Sequence, residues 1–218
     1  MSDRLTHECG LAFVRLRKPL HYYQDVYGDA AWGLRKTYLL MQKQYNRGQD
    51  GAGLGVLKFD MPAGHQFLLR IRSDKHNAIE RIFDAITEDT ERLSEAITSE
   101  TEMDAKRSCR FLGEAYLGHL RYGTHSGNSV AMCHPFIRKS NIASRNIALA
   151  GNFNMTNSSE LFDKLVDYGL DPVGDNDTQV ILEKISHFLN NEHERLIKKH
   201  KDLEGRELAQ MVSKELDV

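Results

Sequence analysis

Apolar residues recur along this chain at two periods, and the switches between them outline its elements. After a polar lead, Leu11-Ala12-Phe13-Val14 form an apolar run continuing into Arg15-Leu16-Arg17, which predicts a buried strand opening at Cys9-Gly10. Ala31, Leu34, Tyr38, Met41 and Tyr45 fall at helical spacing and predict a helix over 30–45, with Gly33 a weak point in its first turn. "LGVLKFD" and "HQFLLRIRS" read as paired strands split by "MPAG". The charged stretch 74–107 carries a thin stripe of Ile79, Ile82, Phe83, Ile86, Leu93 and Ile97, which predicts a broken helical excursion at the periphery. Strand character returns in "EAYLGHLRYGTH" and again in "SRNIALAGNFNMT". Asn157 followed by Glu160 has the form of a capping box opening a helix through "SSELFDKLVDYG". A second helix is expected from the Asn/Asp turn before "TQVILEKISHFLNN", and the tail from Lys201 is helical. Helices mixed with hairpin-spaced strands indicate an α+β or layered αβ fold rather than a doubly wound one.

Composition narrows the picture modestly. The 218 residues are 40% hydrophobic and 28% charged, enough for a sizeable core and too apolar for disorder. With 29 basic and 31 acidic residues the net charge is -2, which argues against nucleic acid or an anionic membrane as the main partner. Three unevenly placed cysteines make no disulfide framework, and the lead "MSDRLTHE" has no signal-peptide core. The expectation is a cytoplasmic protein in a reducing compartment.

Taken singly, the motifs divide between chemistry and packing. Gly51-Ala52-Gly53-Leu54-Gly55 precedes a strand and opens no helix, so it is read as a tight turn packed against something, not a dinucleotide site. His119, His125 and His134, with Cys133, match no common zinc spacing and are read as ordinary surface or hydrogen-bonded histidines; no metal or cofactor is expected. Arg47-Gly48-Gln49-Asp50 joins a cation, a turn and an acid, and Arg121 stands inside a strand; each fits an ion pair or a ligand site. Asp175-Asn176-Asp177-Thr178 is a good helix N-cap.

Their order carries more than any one of them. Cys9-Gly10, "NRGQDGAG", "GHLRYGTHSG", "CHPF", "LAGNFNMTN" and "DNDTQ" together resemble the class II glutamine amidotransferase domain, from Cys9 to about Leu182. The form "RGQDGAG" is most similar to the glutaminase domain of amidophosphoribosyltransferases. The resemblance implies an N-terminal nucleophile hydrolase fold, a four-layer αββα sandwich of two antiparallel sheets. It implies that Cys9, once N-terminal, is the nucleophile and its amine the base, since a thiol near 8.5 and an α-amino group near 8 exchange a proton at about neutral pH. It implies an oxyanion hole from the Asn152 side chain and the Phe153 N–H. Arg121 aligns with the arginine holding the substrate α-carboxylate, Asp177 with the acid holding its α-ammonium, and Thr124, Arg47 and Gly48 with residues lining that pocket. Cys109 and Cys133 are expected to be packing thiols.

Two positions depart from the pattern. Relatives carry histidine where this chain has Asn46, and His-Asn-Gly-Asn where it reads Gly151-Asn152-Phe153-Asn154. Phe153 keeps the N–H but enters positive φ only with difficulty. The expected organisation is a leader over residues 1–8 and a glutaminase domain over 9–218, with no phosphoribosyltransferase domain in this chain. The implied partners are glutamine and a phosphoribosyltransferase or other synthase domain, with neither nucleic acid nor membrane, and a homo-oligomer is compatible with them. Two other readings stand beside the purine one: a domain serving another acceptor, as in glucosamine-phosphate synthases, or a non-catalytic binding domain of the same fold.

Overall fold

The computed structural model describes residues 8–90, 96–123 and 129–216. Its contacts divide the chain into two compact units, residues 1–135 with 150–152, and residues 136–149 with 153–218.

The first unit is built on a four-stranded antiparallel sheet of β1 (Gly10–Arg15), β2 (Gly51–Leu57), β3 (Leu68–Ser73) and β4 (Ala115–Arg121), in the order β1-β4-β2-β3. Register follows from side-chain alternation. One face carries Ala12, Leu54, Val56, Leu69, Tyr116 and Leu120, all buried, and packs under α2 (Trp32–Lys43) and α3 (Ala78–Thr90). A smaller cluster joins α1 (Leu20–Tyr27) and α4 (Glu102–Ser108) through Leu20, Tyr23, Ile97, Ala105 and Leu112. Beside it, buried Lys106 pairs with Glu114 at 2.5 Å.

The opposite face is unusual. Gly51, Gly53 and Gly55 of β2 share it, and the segment Cys133-His134-Pro135 lies across them. A Cβ on Gly51 would meet Cys133 Sγ, one on Gly53 the His134 carbonyl oxygen, and one on Gly55 Pro135 Cγ. Arginines from β3 hold the same segment: Arg72 Nη1 donates to the carbonyls of Ala131 (3.1 Å) and Cys133 (2.9 Å), and Arg70 Nη1 to that of Pro135 (3.1 Å). The glycines expected to form a packed tight turn are therefore strand residues, and what packs on them is the 133–135 segment, through side-chain atoms at Gly51 and Gly55 and through backbone at Gly53.

The second unit pairs β5 (Phe136–Arg138) with β6 (Ile147–Leu149) antiparallel, and packs both against α6 (Asp177–Lys199). Helices α5 (Ser158–Asp167) and α7 (Gly205–Leu216) flank α6, with Leu165, Val180, Leu182, Leu196 and Val212 buried. The Asn176 side chain accepts from Gln179 N at 3.0 Å, the cap expected at the head of α6. Together the units hold the two antiparallel sheets expected.

Other expectations need correction. The strand at Leu11 is not wholly buried: it alternates, with Leu11 48% and Phe13 62% exposed around buried Ala12. The helix expected over 30–45 is Trp32–Lys43, followed by a single 3-10 turn at Tyr45–Arg47. The stretch 74–107 is not peripheral. Ile79, Ile82, Phe83 and Ile86 line the main core because the sheet needs an apolar cover there, while Leu93 lies outside the described residues. Asn157 makes no side-chain cap, and Glu160 pairs instead with Lys164 at 2.6 Å. Among the described residues no helix is long and apolar enough to cross a membrane.

Candidate functional site

Cys9 sits directly before β1, half-buried, at the end of the sheet where β4 delivers Arg121. The backbone there is held from two sides. The side chain of Gln44, just past α2, accepts from Leu11 N (3.1 Å) and donates to Leu11 O (3.0 Å), standing in for a neighbouring strand on the outer edge of β1. On the inner side Tyr122 N–H points at Cys9 Sγ at 3.5 Å. The thiol therefore lies beside the backbone immediately after Arg121.

The segment Arg47-Gly48-Gln49-Asp50 wraps this corner. A Cβ on Gly48 would come within 2.7 Å of the Arg121 carbonyl, so only glycine permits the approach. Asp50 N donates to Arg121 O at 3.0 Å, while Asp50 Oδ2 accepts from Gly123 N at 2.9 Å, fastening the turn that leaves β4. Arg121 is buried, with its guanidinium folded toward Gly123. Arg47 Nη2 reaches Glu8 Oε2 at 3.1 Å, so the residue before Cys9 is tethered to one expected to line the pocket. That pair is half exposed on both sides, and such pairs contribute about 0–1 kcal/mol.

Beside Arg121, His119 and His134 stack with ring centroids 4.2 Å apart and planes at 20°. His119 Nε2 lies 3.2 Å from the Gly151 carbonyl oxygen, and Gly151 N–H donates to His134 Nδ1 at 3.2 Å. Burial is the main force lowering both imidazoles, to about 4 for His119 and about 3 for His134, and the Arg121 charge adds to it. Both rings are neutral near neutral pH. Burial pushes the Cys133 thiol up, which keeps it protonated and inert, in keeping with a packing role. Cys109 is also buried, against the Asp89 carbonyl.

Cys9, Arg47, Gly48 and Arg121 thus come together in the first unit, to which Asn152 also belongs, one residue beyond Gly151. Phe153 and Asp177 belong to the second unit, where Asp177 at the head of α6 accepts from Met155 N with Oδ2 at 2.7 Å. Thr124, His125 and residues 1–7 lie outside the described residues. Among the described residues no group of three His, Cys, Asp or Glu side chains could hold a metal ion. Sequence reasoning missed Gln44 and the stacking of His119 on His134. Asp50 was visible as the acid of "RGQDG", but nothing local pointed Gln44 at strand β1.

No family model matches the chain. It is 36% identical over 80 residues to an amidophosphoribosyltransferase of Archaeoglobus fulgidus, covering 37% of this chain and 17% of that protein. It is 24% identical over 185 residues to chloroplastic amidophosphoribosyltransferase 3 of Arabidopsis thaliana, covering 85% of this chain and 27% of that one. A glutamine–fructose-6-phosphate aminotransferase of Corynebacterium diphtheriae is 32% identical over 76 residues, 35% of this chain and 12% of that protein. Among solved structures, glutamine phosphoribosylpyrophosphate amidotransferase from B. subtilis, complexed with ADP and GMP, superposes with a TM-score of 0.50 at 18% identity. That match covers 96% of this chain and 32% of the other, and shows the shared fold. The chain spans no more than about a third of the length of these relatives.

Proposed function

We infer that this chain is a class II glutamine amidotransferase domain that hydrolyses the side-chain amide of glutamine, with Cys9 as nucleophile. The observation that carries the reading is the corner at the end of β1 and β4, where the Cys9 thiol lies beside the backbone that follows buried Arg121. Residues 1–8 are then a leader and residues 9–218 the glutaminase domain. Cutting the Glu8–Cys9 bond turns an amide nitrogen, which is no base, into an amine able to take the thiol proton.

The thiolate attacks the amide carbon, and negative charge builds on its oxygen. Asn152 and the Phe153 N–H are the donors for that oxygen. The C–N bond breaks, the amine's proton passes to the leaving nitrogen, and ammonia departs, leaving a glutamyl thioester. Water then adds, the C–S bond breaks, and glutamate leaves with the thiol restored. Arg121 takes the substrate α-carboxylate in a two-pronged contact, and Asp177 takes the α-ammonium. Arg47, Gly48 and Thr124 complete the pocket.

The ammonia goes to a synthase domain. The amidophosphoribosyltransferase relatives favour a phosphoribosyl acceptor in purine synthesis. The Corynebacterium relative supports a second reading, in which a sugar phosphate is the acceptor.

The test is ammonia release from glutamine by protein whose N-terminus has been read by mass spectrometry. We expect a mature chain starting at Cys9 and a loss of at least about a thousandfold in Cys9→Ala. Equal rates in the two proteins, or an active form starting elsewhere, would remove Cys9 from the mechanism.

A further inference from the structure

We propose that His119 and His134 act as a pair of positioning residues that hold the peptide groups on either side of Gly151, and thereby aim Asn152 at the developing oxyanion. The proposal rests on the glutaminase reading for the role of Asn152. It concerns two side chains that take no part in the chemistry described above.

The geometry fixes how the two rings share the work. A carbonyl oxygen can only accept, so the 3.2 Å contact from His119 Nε2 to Gly151 O requires the proton on Nε2. An N–H can only donate, so the 3.2 Å contact from Gly151 N to His134 Nδ1 requires that nitrogen to be bare. One imidazole therefore donates to the peptide following Gly151, and the other accepts from the peptide preceding it. Glycine is the residue most free to rotate between those two planes. Pinning both planes removes that freedom one residue before the proposed oxyanion donor.

The pair is itself held in place. His119 pairs across the sheet with Gly53, which has no side chain, and the space above that glycine is filled by the His134 backbone. Arg72 and Arg70 hold the carbonyls on either side of His134. His119 is buried, and its Nδ1 has no hydrogen-bond partner, so one polar atom is left unsatisfied to place Nε2 on Gly151 O. Neutrality of both rings suits the arrangement, because an added proton on His134 Nδ1 would abolish the acceptor.

Amide isosteres separate this role from mere packing. The asparagine side-chain oxygen falls close to the place of histidine Nδ1, and the glutamine side-chain nitrogen close to that of Nε2. His134→Asn and His119→Gln should keep most activity. His134→Ala and His119→Ala should lower kcat for ammonia release by about ten- to a hundredfold, with KM for glutamine held within about twofold. Glutamate γ-semialdehyde, which forms a tetrahedral adduct with the thiol, should lose affinity in the alanine variants by a factor similar to kcat, while glutamate should not. An unchanged kcat, a loss shared equally by kcat/KM and product binding, or an asparagine variant as poor as alanine would overturn the proposal. Should the alanine variants fail to fold, His134→Gln, which moves the acceptor by one methylene, replaces them and should be impaired where His134→Asn is not. Nitrogen-15 spectra of the imidazoles supply a readout independent of activity: both rings should be neutral and carry their proton on Nε2. An imidazolium near neutral pH, or a proton on His134 Nδ1, would end the proposal whether or not the protein releases ammonia. Absence of ammonia release from the parent protein with both rings as described would instead sink the glutaminase reading.

Discussion

A methyl group on Gly53 would occupy the space of the His134 carbonyl oxygen, and that oxygen belongs to backbone held by two arginines. Neither side can yield cheaply, so the added atom forces strand β2 away from the 133–135 segment. Gly53→Ala should lower stability by about 1–3 kcal/mol, read from the urea midpoint, because overpacking a filled space costs that much. Gly174→Ala, whose new Cβ would touch only side-chain atoms of Asn176 and Gln179, should stay within about 0.5 kcal/mol. Equal effects at the two positions would refute the account of the glycine row. The same contrast explains how much of the candidate site could be read from the sequence. Cys9, Arg47 and Arg121 announce themselves by residue type and by the motifs around them. Gly53 looks like turn chemistry because the approaching backbone comes from residues about eighty positions away. His119 and His134 look like two separate histidines for the same reason. Their stacking is a product of the β2–β4 register and of the route taken by residues 131–135.

Strand β1 is an edge strand, and its first residues have backbone groups facing away from β4. Gln44 covers that edge at Leu11, two residues after the proposed nucleophile. Gln44→Ala removes both hydrogen bonds to Leu11, worth about 1 kcal/mol each, together with the one to Leu40 O, which should speed exchange of the Leu11 amide by roughly tenfold or more. Amides in the middle of β2 should be unaffected, since that strand is paired on both sides. Unchanged exchange at Leu11 would show that Gln44 does not secure the strand. Elements with a clean period were legible: β3 and β4 fall within the stretches read as strands, α6 starts at the turn expected to open it, and α2 is two residues shorter at each end than the expected span. The misreadings have physical causes. Helix α1 shows only Leu20, Tyr23 and Tyr27 on its apolar side, too few to stand out beside the polar residues of "HYYQDVYG". Strand β5 has three residues and begins directly after a proline, and a run that short carries no period. The apolar stripe of α3 was visible, but its destination was not. A thin stripe on a charged helix says that something is buried, and only the uncovered face of β2 and β3 says against what.

Among the described residues, three histidines are held below their ordinary titration range. His119 and His134 belong to the first unit and His193 to the second, and burial is the leading cause in each. Unfolding returns them to about 6.5, where they take up protons that the folded chain refuses. The unfolded state therefore binds more protons over the window from about 6.5 down to the folded values, and stability must fall as pH falls through it. For His119 and His134, with folded values of about 4 and about 3, nearly two protons are taken up around pH 5. That corresponds to a slope approaching about 3 kcal/mol per pH unit. Exposed carboxylates held low by ion pairs, Glu160, Glu192 and Glu215, act with the same sign but only at more acid pH. The two contributions therefore separate on the pH axis. Urea unfolding of the full chain between about pH 5 and pH 7 should show stability rising with pH, and the doubly substituted His119→Gln/His134→Asn chain should show a much flatter dependence over that window. Parallel slopes in the two chains would mean that the stacked imidazoles titrate alike in the folded and unfolded states, and that the pocket around Gly151 does not exclude the proton.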